Sequence, residues 1–381
     1  MTVETIGNLI MCRSAHNYVI QSDPTVPLQV VSNANLDLSI DQSSIADYQY
    51  YKVNPYAGEE LGVVVKNQIR FNISPPIQDW FTIDRPVFKT WSDVGAMTND
   101  MDTAVYCLAQ MNVLRNGIKY TTDVTNTTDL TIGDDKYAIA FNGFRQFATN
   151  DELLNIGNLY DYTQPRAFVL LDDGYNTTYF SGASSNHGGN IYLYTFNSLT
   201  LKYTNLRTGA NQTAGLLIHK LQQIPCVHPD YIDDGNTVEI MYGATVLHTS
   251  TFTPKSECKY DVVVCDYVGK YGVWKRVYFY KASYENIEVK TQDFISSSLT
   301  IDNYGVFDVN GKSTIKVNTD WVDEYFNNDL KEMMLSERIL LDDKVVKLRT
   351  KSTELHKNIN NKLINYTLEF EYCNDELRKD L

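Results

Sequence analysis

The chain has 381 residues, enough to bury two or three cores of ordinary domain size, and its 43% hydrophobic and 12% aromatic content excludes a mainly unfolded protein. Its formal net charge of −14 excludes nucleic acid as the main partner, because phosphate binding needs clustered lysines and arginines. No run approaches the ~18 apolar residues of a membrane-spanning helix, and residues 1–20 lack a basic segment followed by an apolar core, so a soluble product made in the cytoplasm without membrane insertion is expected.

In chain order, residues 17–20 and 28–32 are β-favouring runs broken by Pro24 and Pro27. Leu36, Leu38 and Ile40 alternate with Asp37 and Ser39, the period of a half-buried strand. Residues 54–58 read as a turn, followed by strands over 61–66 and 68–73. Ser74-Pro-Pro then opens either one helical turn or an extended crossing anchored by Trp80 and Phe81. The apolar run 103–112 reads as a buried strand, with Asn116-Gly117 offering a hairpin turn to 118–122. After a polar stretch, 137–144 is a strand and 147–158 can hold a helical turn.

Short strands follow over 167–171, 175–180, 191–196, 201–204, 238–242 and 246–253. The Gly/Ser-rich loop 181–190 is long for a hairpin and reads as a mobile tip or a contact loop, with Ser184, Asn186 and His187 as candidate contacts. Residues 260–268 and 273–280 form a strand pair around Gly269-Lys-Tyr-Gly272, and a further strand runs around Ile287 and Val289. Residues 306–372 then read as a strand pair turning on Asn310-Gly311, a helix capped by Thr319 or Asp320, a second pair turning on Asp342-Asp343-Lys344, and a closing strand over 362–372. In that strand Ile364, Tyr366, Leu368, Phe370 and Tyr372 share one face, while Asn365, Thr367, Glu369 and Glu371 share the other. The helix places Val322, Tyr325, Phe326, Leu330, Met333 and Met334 on its apolar stripe. Asp323, Glu324, Asn327, Lys331 and Glu332 fall opposite.

The expected fold is therefore mainly β: β-sandwich modules with a C-terminal α+β module, a small sheet covered by one helix. The expected division is 1–158, 159–256 and 257–381.

Chemistry-bearing patterns are sparse. The Asp pairs at 134/135, 172/173, 233/234 and 342/343 fit turns better than calcium ligands, because three of the four touch a glycine and the alternating ligands and terminal Glu of a calcium loop are missing. The six cysteines contain no CxxC pair, so zinc and disulfide frameworks are not signalled and free, mostly buried thiols are expected. Cys226-Val-His228 reads as a buried thiol beside a partly exposed imidazole. Neither a nucleophile elbow nor a phosphate-binding glycine loop is present. No catalytic, cofactor or metal residues are assigned. Glycoside hydrolysis by two distant carboxylates has no fixed spacing and stays as a third reading.

Residues 257–289 (E-C-K-Y-D-V-V-V-C-D-Y-V-G-K-Y-G-V-W-K-R-V-Y-F-Y-K-A-S and onward) and 306–373 (V-F-D-V-N-G-K-S-T-I-K-V-N-T, W-V-D-E-Y-F, L-K-E-M-M-L-S-E, K-L-I-N-Y-T-L-E-F-E-Y-C) resemble structural tail proteins of tailed bacteriophages that infect Bacteroidetes. A weaker echo covers 69–80 and 137–144. The resemblance implies a tail-tip or baseplate component of the virion, assembled in the host cytoplasm from β-sandwich modules as a ring or other homo-oligomer with other tail proteins, and no catalytic residues. The 27 tyrosines, suited to surfaces packed at one end and wet at the other, agree with an assembly protein. The C-terminal module is expected to mediate oligomerisation, with Trp321, Tyr325, Phe326, Tyr366 and Glu369 as candidate contacts. The second reading is an adhesin for a host surface glycan acting through loop 181–190.

Overall fold

The structure is a computed structural model. It describes residues 176–183, 185, 187–195, 197–216, 220–295, 304–322, 324, 326–353, 355 and 364–373, and ahead of them the strands and short segments named below together with Phe88 and Trp91. The described chain is mainly β, as expected.

The N-terminal part forms three sheets. One contains Thr2–Val3, Asn17–Gln21 and Gln68–Asn72; another Thr127–Thr128, Ile118–Tyr120 and Gln29–Val31. The third orders Leu9–Met11, Lys136–Phe141, Tyr106–Leu114, Asn35–Gln42 and Ile45–Val53. The expected hairpin between 103–112 and 118–122 does not form. Tyr106–Leu114 is paired on both sides, with Lys136–Phe141 and with Asn35–Gln42, and each ladder is longer than the three-residue strand Ile118–Tyr120 could supply. Ser74–Trp80 takes the helical option, and its first residue is tied down by a 2.7 Å hydrogen bond from Ser74 Oγ to the Ser14 carbonyl. The strand expected over 61–66 and the turn over 147–158 lie outside the described residues.

The middle of the chain is a β-sandwich. A five-stranded sheet orders Asn176–Phe180, Thr245–Lys255, Asn236–Tyr242, Thr200–Asn205 and Asn211–Gly215, and a three-stranded sheet orders Ala167–Val169, Asn190–Thr195 and Lys220–Pro225. Alternate residues of both sheets, among them Tyr179, Leu201, Tyr203, Ile240, Ile191 and Ile224, meet in one core. Residues 181–189 are not a hairpin tip: they carry the chain from one sheet to the other.

The C-terminal sheet has seven strands: β1 (Val263–Val268), β2 (Trp274–Phe279), β3 (Tyr284–Ile295), β4 (Tyr304–Asn318), β5 (Ile339–Leu341), β6 (Lys344–Leu348) and β7 (Thr367–Tyr372), in the order β2-β1-β5-β6-β7-β4-β3. The turn at Gly269–Gly272 closes β1 on β2, with Gly272 at φ +77. Asp342 and Asp343, at φ 44 and 64, make the two-residue turn between β5 and β6. The strand β2 serves two cores at once: Tyr278 and Tyr280 beyond its end join the sandwich core, while Phe279 joins the C-terminal one. Burial on both faces explains the nearly continuous apolar run of this hairpin.

Asn310-Gly311 is not a turn. Both residues lie inside β4, with Asn310 opposite Lys290 and Gly311 opposite Val289 on β3. A tight turn there would have split β4, whereas the observed hairpin gives every residue of β3 a partner. The helix α1 spans Phe326–Met334, later than expected. Val322 is not on it: it bridges to Ile364, and Thr319 and Asp320 link β4 to that bridge. Leu330 and Met333 cover the sheet as anticipated, but Asn327 and Glu332, assigned to the wet face, are buried. Asn327 accepts a hydrogen bond from the Tyr366 hydroxyl, and Glu332 pairs with the buried Lys275 ammonium at 2.8 Å. The short helix thus meets polar groups of its own sheet as well as its apolar face.

Candidate assembly surface

The residues proposed from sequence separate once placed. Tyr366 is buried, and the partly buried Phe326 stacks on it with centroids 6.3 Å apart, so both pack in the core under α1. Their apolar spacing identified burial correctly, but burial is shared by a core and an interface. Glu369 lies on the opposite face of β7, within 3.6 Å of Lys316 and 3.3 Å of Arg349. Arg349 also reaches Glu288 of β3, and Lys312 reaches Glu371, so this face carries a ladder of alternating charges. Trp321 is 58% exposed, the one candidate aromatic that faces solvent among the described residues of that set. Tyr325 lies outside the described residues.

Trp321 sits on a firmly held backbone. The Thr319 amide donates to the Tyr366 carbonyl and the Val322 amide to the Ile364 carbonyl. Between them Asp320 adopts a positive φ of 64, and its carboxylate receives Lys255 Nζ at 2.8 Å and Lys281 Nζ at 3.2 Å. Burial acts to raise the Asp320 pKa, but hydrogen bonds from Lys255, the Trp321 amide and Lys281 prevail and hold it below the ordinary carboxylate value.

The loop at 181–190 is less open than its composition suggests. Gly188 and Gly189 are buried; the Gly188 amide donates to the Tyr278 hydroxyl at 2.9 Å. His187 is half-buried, its ring edge-on to Tyr179 at 5.9 Å, and its Nε2 is buried without a hydrogen-bond partner. Ser184 and Asn186 lie outside the described residues. His228 is buried rather than partly exposed, packed among Trp91, Tyr203 and Tyr231, and burial lowers its pKa. Its Nδ1 accepts from the Asp230 amide, capping the short helical turn that follows. Among the described residues no cluster of three or more His, Cys, Asp or Glu side chains could hold a metal ion, and no helix is long and apolar enough to cross a membrane.

The surface that the sequence did not reveal is the β3–β4 hairpin. Among the described residues β7 pairs with β4 only over Thr314–Asn318, so the hairpin from Ile287 and Ser313 outward is a two-stranded arm. Every residue from Tyr284 to Phe294 is exposed, including Tyr284 (70%), Ile287 (54%), Val289 (54%) and Phe294 (52%). The Phe294 ring lies across Gly305, where an added Cβ would be 2.6 Å from the ring, so the aromatic group replaces the missing side chain of its cross-strand neighbour. The signal for a strand at Ile287 and Val289 was legible; its length and free edge depended on reading Asn310-Gly311 as strand.

No protein-family model and no curated protein matches the chain.

Proposed function

We propose that the chain is a structural subunit of a phage tail, at the tail tip or baseplate, acting through contacts between copies of itself and with other tail proteins. The observation that carries this reading is the exposed edge strand β3, with Tyr284 beside the sheet and Ile287, Val289 and Phe294 on the arm beyond it. A two-stranded ribbon gains little stability alone, and apolar groups exposed along its outer strand β3 fit a surface covered by a neighbour. The exposed Trp321 on a held backbone adds an anchor of the type that dominates protein interfaces. The resemblance of residues 257–289 and 306–373 to phage tail proteins supplies the setting. The glycan-adhesin reading has weaker support, because Gly188 and Gly189 of loop 181–190 are buried and His187 is half-buried.

The test combines sedimentation velocity of the purified chain with immunogold localisation on virions. Oligomers in solution and label on the tail are expected. A monomer at all concentrations that is also absent from particles would overturn the proposal.

A further inference from the structure

We infer that the free edge of β3 pairs antiparallel with β3 of a second copy, on a two-fold axis at Val289, joining two seven-stranded sheets into one. The inference rests on the reading that the chain acts through self-association, and it names the strand, the partner and the register.

Among the described residues the sheet has two edge strands, of which β2 is packed against other parts of the chain and β3 is exposed. The outer side of β2 is covered: Phe88 lies over the Arg276 guanidinium at 4.4 Å, and the Gly188 amide binds Tyr278. The other edge is β3, which among the described residues pairs with β4 alone and is exposed over all of Tyr284–Phe294. A strand of 12 residues exposed from Tyr284 to Phe294 is a template for another strand. Its irregularity lies on the partner side, where the register shifts between Gln292 and Asp293 by skipping one residue of β4, so β3 itself offers an uninterrupted edge.

The sequence of β3 is complementary to itself in one antiparallel register. With Val289 on the axis, Glu288 falls opposite Lys290, Asn286 opposite Gln292 and Tyr284 opposite Phe294, and the symmetry makes each pair twice. On the other face Val289 meets its own copy and Ile287 meets Thr291. Moving the axis one residue either way sets Glu288 on Glu288 or Lys290 on Lys290. Parallel in-register stacking sets both like charges together, so the same residues that favour a pair oppose a fibre. Glu285 opposite Asp293 is the unfavourable pairing, near the ends of the ladder, where Glu285 also accepts from the Tyr372 hydroxyl at 3.3 Å. A two-fold axis perpendicular to the sheet keeps α1 on the same face in both copies, so the helices do not obstruct the joint.

The decisive experiment is a charge-swap complementation on the full chain, followed by sedimentation velocity. Glu288→Lys and Lys290→Glu each place like charges opposite one another twice, and each is expected to weaken self-association on the order of tenfold or more. Their equimolar mixture restores Glu–Lys opposition at every such position, so mixed pairs are expected near wild-type affinity. Thermal melting of each variant separates pairing from folding, since Glu288 also neighbours Arg349 within its own chain. A mixture no stronger than its components, or single variants that associate like wild type, overturns the register. A wild-type chain that stays monomeric in solution yet labels the tail overturns edge pairing and leaves the tail reading standing; one that pairs through β3 but is absent from particles does the reverse.

Discussion

Replacing Glu332 by Gln tests whether α1 is held to the sheet by charge as well as by apolar contact. Glu332 and Lys275 are 1% and 6% exposed, with Lys275 Nζ 2.8 Å from Glu332 Oε2. At an effective dielectric of about 20, two unit charges at that distance attract by roughly 6 kcal/mol, most of which offsets the cost of removing both from water. Deleting one partner leaves the other charge buried, which typically costs about 3–5 kcal/mol. Glutamine keeps an oxygen for the Lys270 amide, now 3.0 Å from Glu332, and Asp329 stands 3.7 Å from Lys275, so the lower end of that range, about 3 kcal/mol, is expected. Replacing both partners, Lys275→Met with Glu332→Leu, removes the stranded charge and is expected to recover most of the loss. The assay is urea unfolding followed by fluorescence of Trp274, which is buried next to Lys275 on β2, with amide exchange of α1 as the local readout. A cost for Glu332→Gln below about 0.5 kcal/mol, or a double variant as weak as the sum of its singles, would refute the reasoning.

Other outcomes follow from single positions. Asp320→Asn keeps a side chain tolerant of the positive φ but loses the charge that Lys255 and Lys281 meet, and should cost about 1–2 kcal/mol at neutral pH. Because the folded carboxyl lies below its ordinary pKa, its contribution is full above the unfolded value of about 4 and is lost as pH falls through the folded one; pH-dependent melting of the two proteins should converge in acid. Asp343→Gly, at φ 64, relieves backbone strain while leaving Asp342 to accept from the Val264 amide, and should raise stability by about 0.5 kcal/mol in thermal melts. Gly272→Ala brings a methyl group 2.3 Å from the Asn142 carbonyl oxygen at φ +77, and should cost about 2–4 kcal/mol and expose 140–144 to proteolysis. Trp321→Ala should leave the melting curve unchanged while weakening assembly beyond the β3 pair in sedimentation profiles.

What was legible in the sequence was whatever a local period or turn decides. Alternation located the buried face of β7, though the strand starts at Thr367 and not at 362, and the acidic pair announced a turn at Asp342-Asp343-Lys344, of which Lys344 proves to be strand. The misreadings share a cause, which is that a local signal was overruled by a distant partner. Asn310-Gly311 has the composition of a hairpin turn, yet β3 supplies a continuous ladder across it, and nothing near residue 310 reports that ladder. Glu332 has the composition of a wet helix face, yet Lys275, far away in the chain, makes that face the inner one. The site residues divide the same way. Phe326 and Tyr366 were selected for their apolar spacing, which marks burial without saying whether the burying surface is the chain itself or a neighbour.

The symmetry of the inferred contact constrains any larger assembly. A strand paired with its own copy on a two-fold axis closes after two chains, so β3 alone cannot build a ring. A ring of such pairs needs a second, different surface, and that surface must be firm enough to set an angle. Trp321 meets the requirement on physical grounds: its neighbours Thr319 and Val322 are tied to the strand leading into β7, Asp320 is clamped by two lysines, and so little backbone freedom remains to be lost on binding. The β3 arm, in contrast, is a ribbon that the described residues of its own sheet support over only part of its length, and the inferred pairing would complete its ladder. On the inferred pairing, the C-terminal module would offer the exposed β3 edge to a second copy and Trp321, on its held backbone, to a different neighbour. That pairing of surfaces suits an assembly in which dimers form first and are then set at a fixed angle to one another.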